Sequence, residues 1–457
     1  MILSSVIRVP VYTPAMRKAS LLLCLLLPLT INAQQLSVDA MIERDMASIL
    51  ATYKMLHAAP ELSHREEKTA AFFAGELRKL GYTVTEQLGK YDTGNWTGYG
   101  VVAVMKNGTG PTVLLRSDLD ALPVEEKTGL PYASKVRVKN DAGVEVGVMH
   151  ACGHDIHMTS LLATAKLLSE LKSQWQGTLV LVGQPSEETG EGARALLRDN
   201  LYTRFPQPDF AIALHDMPYL EAGKIGYTPG YALASATSID IKIRGVGGHG
   251  SAPETTKDPV VVAAQVVLAL QTIVSRENSP LEPAVVTVGS IKGGTRYNII
   301  PDEVDLQLTV RTYKEDVRKK ILASIERITK AAVMAAGIPE DRAPIIKVSE
   351  GTTSTYNDPK LIDRLMPAFQ RALGEENVVK FPPIMGSEDF GYLSLDQKIP
   401  AMLFWLGASD PLKVKQLRET GAALPGLHSA LFAPVPEPTL RTGVKATTAT
   451  VLELMKK

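Results

Sequence analysis

Leu179-Val180-Leu181-Val182-Gly183-Gln184-Pro185-Ser186-Glu187-Glu188 carries two kinds of information. Its apolar part, 179–183, is short, rich in Val and Leu, and closed by Gly and Pro, as a strand buried on both faces is. Its polar part is a turn that opens where the strand ends. Similar apolar runs lie at 101–105, 113–116 and 210–214. Helical spacing of apolar residues marks 38–57, 66–80 with Gly81 as its stop, and 156–171. Strands alternating with helices predict an α/β fold, a mixed and mostly parallel sheet with helices on both faces. In such sheets ligands bind beyond the carboxyl ends of the strands, where these polar turns fall.

A different rhythm occupies the middle of the chain. Residues 237–244 alternate like a half-exposed strand, 258–276 form an apolar-faced helix, and 284–291 and 303–312 read as strands. A helix over 315–336 and a strand over 345–349 complete the order strand–helix–strand–strand–helix–strand, which is that of a ferredoxin-like α+β domain. Helical patterning then returns at 359–373. The expected organisation is a discontinuous catalytic domain, 34–234 with 351–457, and an inserted domain, 235–350.

Residues 1–33 read as a signal peptide. Arg17 and Lys18 precede an apolar stretch, 21–29, and Ile31-Asn32-Ala33 offers small-residue cleavage before Gln34. No later segment reads as a membrane span, so the mature chain is expected to be exported, periplasmic or secreted, and free of the membrane. The 457 residues carry 49 Lys and Arg against 49 Asp and Glu. That balance gives no electrostatic case for nucleic acid, and a small molecule is the expected partner. Of the two cysteines, Cys24 lies in the signal segment, so cleavage leaves Cys152 alone. A lone thiol in an oxidising compartment calls for burial or metal ligation.

Three of the eight histidines fall in Met149-His150-Ala151-Cys152-Gly153-His154-Asp155-Ile156-His157. Cys-x-His presents a thiolate and an imidazole from one tight turn, and both suit Zn²⁺ and similar metals. Arg116-Ser117-Asp118-Leu119-Asp120 ends a strand in two carboxylates, Glu187-Glu188 ends another, and His215-Asp216 follows a third. Gly426-Leu427-His428 adds a distant His. Cys152, His154, Glu188, His215 and His428 form a mixed S, N and O set too large for one four-coordinate ion and suited to a pair. Such a pair can activate water and polarise a carbonyl. Glu187 would take the proton from that water and pass it to a leaving nitrogen. Asp120 would orient a ligand by hydrogen bonding.

Taken together, these segments resemble the aminoacylase and carboxypeptidase G-like metallopeptidase family. They are most similar to its amidohydrolase branch of hippurate hydrolases, indole-acetyl-amino-acid hydrolases and N-acyl-amino-acid deacetylases. The resemblance rests on His57-x-x-Pro60-Glu61-Leu62-Ser63, Asp118-Leu119-Asp120-Ala121-Leu122-Pro123, His150-Ala151-Cys152-Gly153-His154-Asp155, Gln184-Pro185-Ser186-Glu187-Glu188, Gly247-Gly248-His249-Gly250, Asn298-Ile299-Ile300-Pro301 and Ser387-Glu388-Asp389-Phe390.

The resemblance implies two divalent metals per subunit, zinc or manganese first and cobalt or nickel next. It implies the five ligands above, Glu187 as base, and cleavage of the amide bond in N-acyl amino acids. It also implies that the inserted domain is a lid that forms a homodimer. His249 would reach a neighbouring site to steady the oxyanion, and Asn298 would meet the substrate. Arg311 is a candidate clamp for the substrate carboxylate, which a guanidinium grips bidentately. Thr189-Gly190-Glu191-Gly192 departs from the Gly run of many relatives, and Glu254 stands where many carry His. An exported dipeptidase or carboxypeptidase with the same site is the alternative within the class. A thiol hydrolase built on Cys152 with His150 or His157, and a non-catalytic binding protein, are alternatives outside it.

Overall fold

The structure, a computed structural model, describes residues 7–11, 36–92 and 94–457. The chain divides into two compact units, Met1–Ser37 and Val38–Lys457. In the first, residues 7–11 carry no regular secondary structure. The apolar core and cleavage site of the expected signal peptide lie outside the described residues.

The second unit is a mixed α/β structure built on an eight-stranded sheet. Its strands run in the spatial order Thr83–Leu88, Gly100–Asn107, Gly177–Gln184, Thr112–Asp118, Phe210–Glu221, Ala401–Ser409, Ile225–Tyr227, Val378–Lys380. The four central strands are parallel to one another. Alternate side chains enter different cores, as the twofold period of a strand requires. Leu179 and Leu181 join one core with the helices Val38–Ala58, Glu67–Lys79, His154–Glu170 and Pro436–Leu454. Val180 and Val182 join the other, with the short helix Gly192–Arg198. Helices on both faces bury most of the central strands, so these strands read as nearly unbroken apolar runs.

A second, four-stranded antiparallel sheet has the order Ala284–Gly293, Glu303–Thr312, Ser235–Arg244, Ile345–Thr352. Its helices, Pro259–Thr272 and Glu315–Ala335, pack on one face and share a core with Ile239, Ile241 and Leu306. The element order and the strand order are those of a ferredoxin-like fold. Where the chain enters and leaves this sheet, Gly230–Leu233 pairs antiparallel with Thr355–Asn357, and Leu233 faces Thr355.

Two expectations need correction. Residues 210–214 do not end at His215, because the strand Phe210–Glu221 continues past it. His215 and Asp216 are buried inside that strand, paired with Trp405 and Leu406. The helical stretch Pro259–Glu277 is also long and apolar enough to cross a membrane, judged by length and composition alone. Its inner face packs on the second sheet through Val262, Val266 and Leu270. It passes that test because Val260, Val261 and Leu268, on its outward side, are apolar as well.

Candidate metal centre and cleft

The Cys152 turn depends on Gly153. Its φ is 81°, a conformation that disfavours side chains, and a Cβ there would strike the Asp216 carboxylate. This turn feeds directly into the helix His154–Glu170, so Cys152 and His154 leave the chain on either side of one glycine. His154 Nδ1 lies 2.7 Å from the backbone oxygen of Asp120, and His215 Nδ1 lies 2.9 Å from that of Asp216. A carbonyl oxygen only accepts, so both Nδ1 atoms carry protons and donate. The Nε2 lone pairs are thereby aimed at the centre, as in histidines that bind metals. His215 Nε2 is 3.5 Å from Cys152 Sγ.

The glutamate turn is held from below by Asp120. Its carboxylate accepts from the backbone N–H of Glu187 at 3.1 Å, of Glu188 at 3.0 Å, and from Ser63 Oγ at 2.7 Å. His154 Nε2 then stands 3.8 Å from an oxygen of each glutamate. His428, in a left-handed backbone conformation, brings its Nε2 to 3.4 Å from Glu188 Oε2. Of the five groups of ligand atoms within metal-binding reach among the described residues, two, Cys152-His154-His215 and Cys152-Glu188-His428, contain all five expected ligands and share Cys152.

The residues present fit divalent cations. His154 Nε2 and Glu188 Oε1 are buried and have no hydrogen-bond partner. Such orphans are costly unless something else satisfies them. The electrostatics agree. Burial and then Asp120 and Asp118 push Glu188 up to about 8, while His154 offsets part of the rise. Glu187 is raised well above the carboxylate range by burial, Glu388 and Glu188. Burial opposes a charge on His154, but Asp118, Asp120 and Glu188 outweigh it and raise it to about 10. Crowded acids and a proton-hungry imidazole mark a place that stabilises positive charge.

Several supporting contacts were not foreseen, although their residues stand in the motifs quoted above. Asp118 receives a hydrogen bond from His157 Nδ1 at 2.7 Å and lies 3.5 Å from His154 Nε2. His157 Nε2 accepts from the Asp216 backbone N–H, so both of its ring nitrogens are engaged and it cannot serve as a base for Cys152. Burial also raises the Cys152 thiol well above its ordinary value, against a nucleophilic role. Beneath Glu187, the buried Arg116 guanidinium reaches Asp118, Glu388, Asp389 and Gln184. Removing one partner of such a buried network typically costs about 3–5 kcal/mol. Its signal was present in the Ser387-Glu388-Asp389-Phe390 motif, but nothing local tied those acids to Arg116.

A cleft of about 670 Å³ opens over Cys152, Glu187, Glu188, His215 and His428. Arg311, from the four-stranded sheet, lines it opposite them. Arg311 donates to Ser387 Oγ at 2.5 Å, and among the described residues no carboxylate is hydrogen-bonded to it. His249 and Asn298 do not line this cleft. They sit together in connections between strands of the four-stranded sheet, where the Gly250 N–H donates to the Asn298 carbonyl at 2.9 Å. Both are exposed, and the His249 ring accepts from Ser251.

A buried set of thiol, imidazole and carboxylate groups, with a second carboxylate alongside and a cleft above, is the apparatus of an amide-bond hydrolase. The chain belongs to the peptidase family M20/M25/M40, whose model matches residues 114–417. It is 38% identical to the hippurate hydrolase of Campylobacter jejuni over 341 residues, 74% of this chain and 82% of that protein. It is 35% identical to the N-acetyl-L-cysteine deacetylase of Bacillus subtilis, over 75% of this chain and 77% of that one. Among solved structures it matches the YXEP protein of Bacillus subtilis, a dinuclear metal binding peptidase of the M20 family. The TM-score is 0.70 at 26% identity, covering 90% of this chain and 99% of that one.

Proposed function

We propose that the protein is an exported metal-dependent amidohydrolase that releases free amino acids from N-acyl amino acids. The observation that carries this reading is the pairing of a candidate two-metal floor with an uncompensated Arg311 across the same cleft. A substrate with an amide bond at one point and a carboxylate a few atoms away would satisfy both.

Cys152, His154, Glu188, His215 and His428 would hold two divalent ions, zinc or manganese, and the thiolate favours zinc. When bound, the ions supply Lewis acidity to the scissile carbonyl and lower the pKa of the attacking water. Glu187 removes a proton from that water as its oxygen bonds to the carbonyl carbon. The same carboxyl then gives the proton to the nitrogen as the carbon–nitrogen bond breaks, yielding a carboxylic acid and an amino acid. Its burial among acids suits this double role, because a carboxyl with a raised pKa both accepts and returns a proton near neutral pH. Arg311 grips the substrate carboxylate and fixes the distance from it to the scissile bond.

His249 and Asn298 serve a second subunit's cleft in a homodimer formed through the inserted domain. Their exposure, their absence from the lining of this chain's cleft, and the apolar outward residues Val260, Val261 and Leu268 all support that arrangement.

The test is amino-acid release by the metal-loaded protein from N-acetyl, N-benzoyl and indole-acetyl amino acids, with dipeptides in parallel. Chelator-sensitive release from the acyl amino acids is expected. Cleavage confined to dipeptides would move the protein to the peptidase side, and silence across the panel would sink the reading.

A further inference from the structure

Ser186, directly before the glutamate pair, is a non-glycine residue with φ 53°, and His64 has φ 65°. Both sit in the left-handed region that L-residues rarely adopt. Such conformations persist only where the surroundings over-determine them. Here the surroundings converge on one oxygen. Glu66 Oε1 accepts from the Ser186 backbone N–H at 2.8 Å, from Ser186 Oγ at 3.2 Å, and from the His64 backbone N–H at 3.0 Å. Ser186 Oγ in turn lies 3.0 Å from the His64 N–H and 2.8 Å from Tyr91 Oη. Glu66 is wholly buried, and its Oε2 has no partner.

The turn is therefore gripped from both sides. Asp120, itself bonded to Ser63, takes the N–H groups of Glu187 and Glu188, while Glu66 takes that of Ser186. Residues 63–66 thus brace three consecutive residues of the turn. A third contact is peripheral. The His64 ring stacks on Trp96 and lies 3.2 Å from Glu191, the residue that departs from the Gly run of many relatives.

We infer that Glu66 is a positioning residue whose single engaged oxygen locks Ser186 left-handed and so aims Glu187 and Glu188 at the metal centre. This rests on the roles proposed for those two glutamates. Because only Oε1 is engaged, an acceptor is required there and a negative charge is not. Glutamine can place its carbonyl oxygen at the same point.

The experiment compares Glu66→Gln, Glu66→Ala and Glu191→Gln in the full chain. Three quantities are read: kcat and KM on whichever substrate the panel yields, Co²⁺ affinity by chelator competition, and the melting temperature. Glu66→Ala is expected to lose kcat and Co²⁺ affinity by ~10–100-fold each, with KM held within about twofold. Glu66→Gln and Glu191→Gln are expected to match the wild type in all three. Should Glu66→Ala not fold, Glu66→Asp, which withdraws the oxygen by one methylene, carries the same expectation as the alanine variant.

Wild-type kcat and Co²⁺ affinity in Glu66→Ala would overturn the inference. So would Glu66→Gln falling as far as Glu66→Ala, since the charge would then be what matters. Equal loss in Glu191→Gln would also overturn it, by assigning the effect to loop docking as a whole. The Co²⁺ arm needs no substrate, so an inactive wild type would refute the proposed reaction without touching the brace.

Discussion

His428 Nε2 lies 3.4 Å from Glu188 Oε2, although the whole four-stranded sheet separates the two residues in sequence. The approach is built by backbone pairing. The His428 N–H donates to the Ala151 carbonyl at 2.8 Å, which stitches the C-terminal loop to the residue before Cys152. One turn thus carries Cys152 and His154 and also seats the most distant candidate ligand.

Replacing Glu187 by Gln removes the proton carrier and keeps the shape. Catalysis by such groups is worth ~10²–10⁴-fold, so kcat should fall by that factor while bound metal and KM stay near wild type. Steady-state kinetics with metal analysis on the same sample checks this. A variant with kcat near wild type would remove Glu187 from the chemistry.

Stripping the protein with a chelator should lower its melting temperature, because ions that bind only the folded state stabilise it. At a metal concentration a hundredfold above Kd the effect is about 2.7 kcal/mol. Cys152→Ala should show a much smaller metal-dependent shift. Identical shifts in the two proteins would exclude Cys152 as a ligand.

Arg311→Gln should raise KM, or lower kcat/KM, by roughly 10–100-fold, from the loss of about 1.5–3 kcal/mol of charged hydrogen bonding. The same substitution should leave hydrolysis of the corresponding amino-acid amides nearly unchanged, since these lack the carboxylate. Equal losses on acids and amides would place Arg311 outside carboxylate recognition.

His57 bridges Asp155, 2.6 Å from its Nδ1, and Glu126, 3.1 Å from its Nε2. Burial opposes its charge, but these carboxylates prevail and raise it from 6.5 to about 10. A folded-state pKa above the unfolded one adds stability that is whole below pH 6.5 and is lost as pH rises through about 10. Urea unfolding should therefore show the wild type losing on the order of a few kcal/mol between pH 7 and pH 10 that His57→Gln does not lose. Parallel pH dependence in the two proteins would contradict the bridge.

If His249 serves a partner's cleft, His249→Ala and Glu187→Gln should each be nearly inactive alone. Refolded together they should recover activity, because hybrid dimers contain one cleft with both groups intact. No recovery in a mixture shown to contain hybrids would place His249 outside the partner's reaction.

Much of the fold and of the metal-type cluster was legible in the sequence. The apolar runs around Leu114 and Val180 and the polar turns after them fall at strand ends as expected. The strand Ala401–Ser409 was not singled out. Its run 401–406 is as apolar as 179–183, so it was legible by the same rule. The end of the Phe210–Glu221 strand was misplaced because Asp216 reads as a turn residue, whereas it is wholly buried beside Gly153. The Arg116 network and the His157–Asp118 contact were invisible for a different reason. They join residues from separate strands and loops, and no local spacing encodes such a meeting.

The antiparallel contact between Gly230–Leu233 and Thr355–Asn357 sets entry and exit of the four-stranded sheet side by side. An insertion with adjoining ends adds no crossing to the chain that hosts it. A short turn could join Leu233 to Thr355 and leave the path of the larger sheet unaltered. The inserted sheet is in that sense a detachable cassette. Lineages could trade its loops, and with them the shape of the cleft roof, without disturbing the metal-type cluster on its floor.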